Sequence, residues 1–456
     1  MLFFQLILYG IVCWFGLYMC NRDTRNVKLW FSGLSLVICA CGLGAWLLVP
    51  FAQEAHQSEV VGKVRDLSLL LPLALWQGVI VSYSSSFDSK RSAAWNIWKY
   101  VFLSLFLISG ILLMIISNEG LYTIACKIIY CATLALCVLF TVGSALATRS
   151  QASQKRSLLM FIPLIVHVFT VVFVLFLRDD SWKGWSQVGS GIGLLLFAVH
   201  VMVTEIKAQG ESWLPDFFRS LDYSVFFTFL FSGQVALAIG WAAGFNFTSL
   251  ILLQISIAIS IAFQVFVYPI RAMLDHIAFI TFPKLRHEQT RLRLVESVQV
   301  RIDEAAVPDE INEEDLFRYT RRALSNFGDL ERLASNPLTQ MKWIHHRLQK
   351  RGVADEVLER AVELKSVLLE SIGQLKPRSD DEFGTTEEWR LYNALYFPYI
   401  VGVKPYSLRY SDEHLDNVSR DALEWFRTNV PERTCYNWQN AAARLVALNL
   451  KEKNAS

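Results

Sequence analysis

No P-loop, no G-x-S-x-G elbow and no H-E-x-x-H helix occurs in these 456 residues, which sets aside the common nucleotide hydrolases, serine esterases and zinc peptidases. Cysteine is sparse and wrongly spaced for zinc or for a disulfide framework. Of the eight, Cys13, Cys20, Cys39, Cys41, Cys126, Cys131 and Cys137 lie in or at the ends of apolar runs, and Cys435 lies elsewhere. Such thiols read as small packing residues. No Asp or Glu stands in the middle of any long apolar run, whereas proton-coupled pumps usually carry carboxylates there. His345 and His346 share a helical stretch, yet no glycine-rich ATP lid follows them, so a histidine kinase is excluded. With no carboxylate pair, Ser and His pair or metal cluster in view, the chain reads as a non-enzyme that needs no metal and no cofactor.

What the chain does have is length of apolar sequence. A hydrocarbon core of about 30 Å asks for roughly 20 apolar residues in a helix, because backbone polar groups must pair internally where water is absent. Nine stretches meet that demand: 1–20, 29–51, 67–83, 99–117, 121–148, 157–177, 185–206, 222–241 and 247–270. The fold class expected is therefore all-α: a polytopic bundle of nine transmembrane helices over 1–270, followed by a soluble helical domain. The first stretch has no basic residue ahead of it and no small-residue cleavage site, so it reads as a retained helix.

Charge sets the direction of threading. Arg22, Arg25, Lys28, Lys90, Arg91, Lys99, Arg149, Lys155, Arg156, Lys207 and Arg219 fall in alternate loops, and the opposite loops hold only Lys63, Arg65, Arg178 and Lys183, with Lys127 if it reaches outward. The positive-inside bias then places the N-terminus outside and the C-terminus in the cytoplasm, in an inner membrane. Trp30, Trp95, Trp98, Trp182, Trp185 and Trp241 lie near the expected ends, where indole favours the interface.

Few ionisable residues fall within the spans, and these are the candidates for sensing or ligand binding: Lys127, His167 and His200. Lys127 is near enough to an end to snorkel, and histidines such as His167 and His200 are more often neutral hydrogen-bonding partners between helices. Gln234, Gln254, Gln264, Ser256 and Ser260 read as polar glue between the last two spans. Pro72, Pro163 and the run from Gly189 to Gly193 are interruptions of the kind that transporters place at the midplane, without a visible internal repeat.

Beyond residue 270 the composition changes. Residues 271–315 form an amphipathic connector, kinked at Pro283, and an acidic linker around Pro308. Residues 316–456 repeat apolar positions at helical spacing. The net charge of residues 1–270 is +4 and that of the remainder is −2, so the soluble part is no basic polyelectrolyte. Within 387–450, an aromatic-rich amphipathic helix over 387–401 precedes a helix over 419–428, a turn at Asn429, Val430 and Pro431, and a longer helix. That outline is helix-turn-helix-like. Arg433, Thr434, Asn437, Gln439 and Asn440 would then project from the first turns of the recognition helix toward DNA base edges or a protein partner. Residues 387–456 balance nine basic against nine acidic residues, which weighs against DNA.

The opening, with Trp14, Gly16, Leu17, Tyr18 and then Asn21, Arg22 and Asp23, resembles the multi-helix membrane modules at the front of bacterial sensor proteins. The stretches RRALSNFGDLERLASNPLTQ (321–340), EEWRLYNALYFPYIVGVKPY (387–406) and VPERTCYNWQNAAARLVALNL (430–450) resemble the cytoplasmic helical domain of uncharacterised bacterial multi-pass membrane proteins, some ending in a degenerate helix-turn-helix. The resemblance implies a membrane sensor or signalling protein. Its partners would be the lipid bilayer, a cytoplasmic protein or DNA, and a second copy of the chain. A small-molecule transporter or channel and a non-catalytic scaffold are the alternatives, and 316–456 is expected to fold as a unit.

Overall fold

The structure, a computed structural model, describes residues 2–24, 26–85, 95–147, 165–166, 169, 180–209, 214–278, 292, 295, 298, 312–378, 381–406 and 415–455. Among these residues every regular element is a helix. The chain divides into two units, Met1–Glu205 with Phe217–Asp275, and Ile206–Asp216 with His276–Ser456.

The first unit is built on α1 (Leu2–Arg22), α2 (Val27–Leu48), α3 (Ala55–Ser85), α4 (Leu103–Ile115), α5 (Glu119–Ala147), α6 (Asp180–Gln209), α7 (Leu214–Ala238), α8 (Phe247–Val265) and α9 (Val267–Ala278). Seven described helices are long and apolar enough to cross a membrane. Of the nine spans expected, the fifth lies on α5, where the apolar part is the shorter Gly120–Leu136, and the sixth, 157–177, lies outside the described residues apart from 165, 166 and 169. Local signals fix the helix starts. The Asn26 side chain accepts from the Lys28 and Leu29 amides ahead of α2, and Asn246 with Ser249 closes a capping box ahead of α8.

α3 is the hub of this unit. Its apolar window is 78% buried, against 22% for α4 and 17% for α7, so the latter two turn most of their apolar surface outward, with Phe229, Leu237 and Trp241 exposed. In a water-soluble protein such a surface would be a liability; against lipid tails it is not. α3 runs through Pro72 without a break, and the glycine run 189–193 lies inside the continuous helix α6, where Gly191 faces Leu8 and Leu43. Neither of these two expected interruptions breaks its helix, and the third, Pro163, lies outside the described residues.

Contacts fix the relative directions of the helices. Gly16 on α1 meets Gly33 on α2, and Gly42 on α2 meets Ser68 on α3, so each of these pairs is antiparallel. Asn21 at the end of α1 donates to the Val265 carbonyl at the end of α8, 2.8 Å, which makes those two parallel. Lys28 at the start of α2 pairs with Glu205 late in α6, 3.0 Å. The helices of the first, third, fifth, seventh and ninth expected spans run one way, and those of the second and eighth run the other.

The polar glue is distributed differently from the sequence expectation. Ser232 and Ser256 do join α7 to α8, 3.0 Å. Gln254 instead ties α8 to the first two helices: its Nε2 donates to the Gly44 carbonyl at 3.0 Å, and the Tyr9 hydroxyl donates to the Gln254 main-chain carbonyl at 3.1 Å. A buried amide needs a partner, and here the Gly44 carbonyl supplies it.

The second unit contains α10 (Glu313–Ser325), α11 (Leu330–Ala334), α12 (Lys342–Arg351), α13 (Val357–Gly373), α14 (Arg390–Leu395), α15 (Asn417–Asn429) and α16 (Glu432–Ala455). One core joins Leu316, Tyr319 and Leu324 of α10 to Ile344 and Leu348 of α12, Leu364, Val367 and Leu368 of α13, Leu395 of α14 and Val446 and Leu450 of α16. A smaller aromatic cluster holds Phe397, Leu423, Phe426, Val430 and Cys435, with Trp425 and Trp438 against it. The expected single helix over 387–401 is three pieces: a 3-10 turn, α14, and a wide π turn over Tyr396–Val401. Pro398 lacks the N–H that a regular α ladder needs, so the chain widens around it, and Gly402 closes the turn at φ +87°. Pro283, Pro308 and most of the acidic linker lie outside the described residues.

Ion pairs bind α12 to α13 on the surface of this core. The Asp355 carboxylate, between the two helices, accepts from both Arg360 and His345. These hydrogen bonds, that of Arg360 foremost, pull its pKa from the ordinary 3.8 down to about 2. A depressed carboxylate contributes stability that is complete above the ordinary value and is lost as pH falls from about 4 toward 2. Because Asp355 is 30% exposed, the contribution is modest, below about 1 kcal/mol. Asp355→Asn is therefore expected to lower the thermal midpoint slightly at neutral pH and to flatten this part of the acid limb. An unchanged acid limb would show that Asp355 carries none of it.

Candidate functional site

Two polar constellations lie at opposite ends of the helices of the first unit. At the end that gathers Arg22, Lys28 and Arg219, the Asn26 amide donates to Glu205 Oε2 at 2.9 Å. The Lys28 ammonium pairs with Glu205 Oε1 at 3.0 Å and lies 4.1 Å from the Tyr83 ring centroid. A helix cap, a cation and an aromatic face thus converge on one carboxylate, joining α2, α3 and α6. Nearby, Arg22 donates to the Tyr18 hydroxyl at 2.9 Å, and the Arg219 guanidinium meets Tyr268. Trp14, Phe15 and Tyr18 meet Phe217 edge to face.

The second constellation is one that loop reading missed. Lys63 and Arg65, expected in a loop, are on α3, which begins 12 residues before the expected start. Lys63 pairs with Glu59 at 2.6 Å and donates to the Met114 carbonyl at 3.1 Å. Arg65 pairs with Asp66 at 2.9 Å with its guanidinium over Trp46. Asp66 also accepts from the Tyr122 hydroxyl at 3.2 Å, and its carbonyl accepts from Tyr130. The signal available in sequence was the i, i+4 spacing of Glu59 and Lys63, which marks a helix as readily as a loop.

Chemically this second cluster is a clamp: each charge has a counter-charge and the carboxylate has two donors, so it joins α3 to α2, α4 and α5 without a net buried charge. Removing the acceptor takes from Arg65 its counter-charge and from the Tyr122 hydroxyl its carboxylate acceptor. Asp66→Ala is expected to destabilise the unit by about 2–3 kcal/mol, and Asp66→Asn by less. Thermal unfolding in nanodiscs measures both, and equal losses in the two variants would contradict a charge-based clamp.

The three membrane residues singled out from sequence are not drawn into one site. Lys127 is exposed on α5, while His200 is half-buried on α6, and the two share no hydrogen bond. Nε2 of His200 is buried and makes no hydrogen bond among the described residues, so the partner between helices expected for it is not found among them. His167 lies outside the described residues.

In the second unit, α15 and α16 are joined through Val430 and Pro431 as the spacing predicts. The five residues expected to project from α16 do not share one outward face. Arg433 and Asn437 are exposed and Thr434 is half-exposed. Gln439 is turned inward, accepting from the Tyr399 hydroxyl at 3.3 Å, and Oδ1 of Asn440 is buried without a hydrogen bond among the described residues. Tyr436, which the spacing alone did not single out, is exposed beside Arg433 and Asn437 and lies under the Arg321 guanidinium, 5.3 Å.

Among the described residues no group of three or more His, Cys, Asp or Glu side chains is placed to hold a metal ion. No protein-family model, no curated protein and no solved structure matches the chain. The functional reading therefore stands on geometry and physical chemistry.

Proposed function

We propose that this chain is an integral membrane sensor or signalling protein, with its N-terminus outside and its C-terminus in the cytoplasm of a bacterial inner membrane, whose soluble helical unit passes a signal by engaging a protein partner. The observation that carries this reading is the division of one chain into an apolar helix unit, clamped by ion pairs near both ends, and a separately cored helical unit with balanced charge. A signal that favours one packing of the first unit would act as a population shift, transmitted only to the extent that it binds one packing better than the other.

A protein partner is favoured over DNA by the surface of α16. Base readout would need Gln439 and Asn440 at the groove, and both are turned into the domain. Exposed Tyr436 next to Arg433 and Asn437 has the composition of a protein-binding hot spot, an aromatic anchor with an adjacent Arg.

The test uses the full chain, in cells for crosslinking and in nanodiscs for DNA binding. A photo-crosslinking residue at Asn437 is expected to capture a discrete cytoplasmic protein in cells, and duplex DNA is expected to show no salt-sensitive binding by fluorescence anisotropy. DNA affinity that falls steeply with salt and weakens in Arg433→Ala would replace the protein partner with DNA. A reporter fused after Ser456 that reads as external would overturn the topology.

A further inference from the structure

α8 is 19 residues long, about 28 Å at 1.5 Å per residue, which matches a hydrocarbon core of about 30 Å without help from the next helix. Its inner face, with Leu253, Ile257 and Ile261, is buried, and Leu252, Ile255, Ile259 and Phe263 are exposed along the opposite face. In a helix long and apolar enough to cross a membrane, that exposed stripe is what meets acyl chains.

The stripe does not stop where the span does. Ile270 follows two turns after Phe263 and is half-buried, and Met273 and Leu274, one turn further, are exposed. Positions 252, 255, 259, 263, 270, 273 and 274 keep the spacing of one helix face, so α9 carries on the apolar pattern of the outward side of α8. The polar layer outside the core is only about 5–8 Å deep in each leaflet. A straight helix would carry Leu274 about 13 Å beyond Val265 and leave two large apolar side chains in water.

The junction between the two helices is where the chain bends away from that course. Helical geometry lapses at Phe266, with φ −93° and ψ 20°. Pro269 has no N–H to give the Val265 carbonyl four residues back, and that carbonyl accepts from Asn21 of α1 at 2.8 Å. Between them, Tyr268 meets the Arg219 guanidinium at the start of α7. A proline whose orphaned carbonyl is satisfied from outside is an ordinary cause of a bend, and here α1 and α7 hold it in place. On the flank of the apolar stripe, Arg271 is exposed and makes no hydrogen bond or ion pair among the described residues.

We propose that α9 is an interfacial helix: it lies in the headgroup layer, Ile270, Met273 and Leu274 enter the acyl boundary, and Arg271 binds the phosphate of an acidic phospholipid. An amphipathic helix with a basic flank is held at that depth by its apolar face and drawn to anionic lipid by its charge. The guanidinium suits the contact because its planar fork matches two phosphate oxygens at once. The surface is separate from α16 and holds whichever partner that helix meets.

The experiment places the photoreactive residue benzoylphenylalanine, one position at a time, at Phe263, Met273 and Leu274 of the full chain in nanodiscs of mixed phosphatidylcholine and phosphatidylglycerol. Ultraviolet light joins the probe to a neighbouring C–H bond, and mass spectrometry of the peptide identifies what was captured. Position 263 is the reference for a residue facing acyl chains. Lipid adducts are expected at 273 and 274 as well. At 274 phosphatidylglycerol should be captured about two- to fivefold above its share of the mixture, the upper figure being what one basic residue near a charged surface gives. Arg271→Gln alters an exposed side chain and should return that ratio to the mixture while the lipid adducts remain. Adducts at 273 and 274 to a second copy or to another part of the chain would overturn the interfacial helix. So would lipid capture no higher than at Val362, an exposed residue of the second unit. Capture at 274 in simple proportion to the mixture, with Arg271 in place, would overturn the acidic-lipid contact.

Discussion

Replacing both Arg347 and Arg351 by Met is expected to lower the opening free energy of the α12–α13 region by about 3–5 kcal/mol. The reason is Glu363, whose side chain is 0% exposed while both arginines that pair with it reach solvent. The asymmetry decides the sign and the size. When the arginines are removed, the carboxylate stays buried without the two counter-charges that compensate it. When the carboxylate is neutralised instead, as in Glu363→Gln, the arginines turn outward to water and the loss falls to roughly 1.5 kcal/mol. Arg347 also forms a two-bond fork to Glu370 at 3.0 and 2.7 Å, which holds that carboxyl below its usual pKa; the single variant Arg347→Met should therefore lose more than Arg351→Met. Exchange rates of peptides within 357–373 in the full chain read all four variants. Equal losses for the double arginine variant and for Glu363→Gln would mean that burial of charge is not what the pair manages.

The apolar helices were legible from sequence because a membrane span needs a long uninterrupted run, and runs survive errors of a few residues. Their ends were less so. Lys63, Arg65 and Asp66 read as loop because polarity marks the end of an apolar run, yet a helix continues through polar residues when they pair with one another and with Tyr122 across to α5. The spacing of Glu59 and Lys63 is local, but nothing local encodes the pairing of Asp66 with Tyr122. The same limit applies to α16. The spacing of Arg433 and Asn437 gave an exposed face, but Gln439 and Asn440 were inward because Tyr399, 40 residues away, and the neighbouring core decide which side of the helix is covered.

Gly33→Val is expected to have the largest effect in the membrane unit. A Cβ at position 33 would lie 2.6 Å from the Gly16 carbonyl oxygen and 2.7 Å from Cys20 Sγ, and one at position 16 would lie 2.8 Å from the Gly33 carbonyl oxygen. The two glycines therefore set how closely α1 and α2 approach, and close approach is what drives association where lipid removes the hydrophobic contribution. The obstacle is backbone, so relief means moving a helix that also anchors Tyr9 to Gln254 and Asn21 to Val265. The loss should reach or exceed the top of the range for overpacking, about 1–3 kcal/mol, and show as a lowered thermal midpoint in detergent. Gly33→Ala should already show most of it, and adding Cys20→Ala should not restore it, because the carbonyl remains. Gly233 on α7, where a Cβ would meet nothing within 4 Å, is the control: Gly233→Ala should be neutral or gain up to about 1 kcal/mol from helix propensity. Rescue of Gly33→Ala by Cys20→Ala would move the contact from the backbone crossing to the thiol, and the account of α1 against α2 would have to change with it.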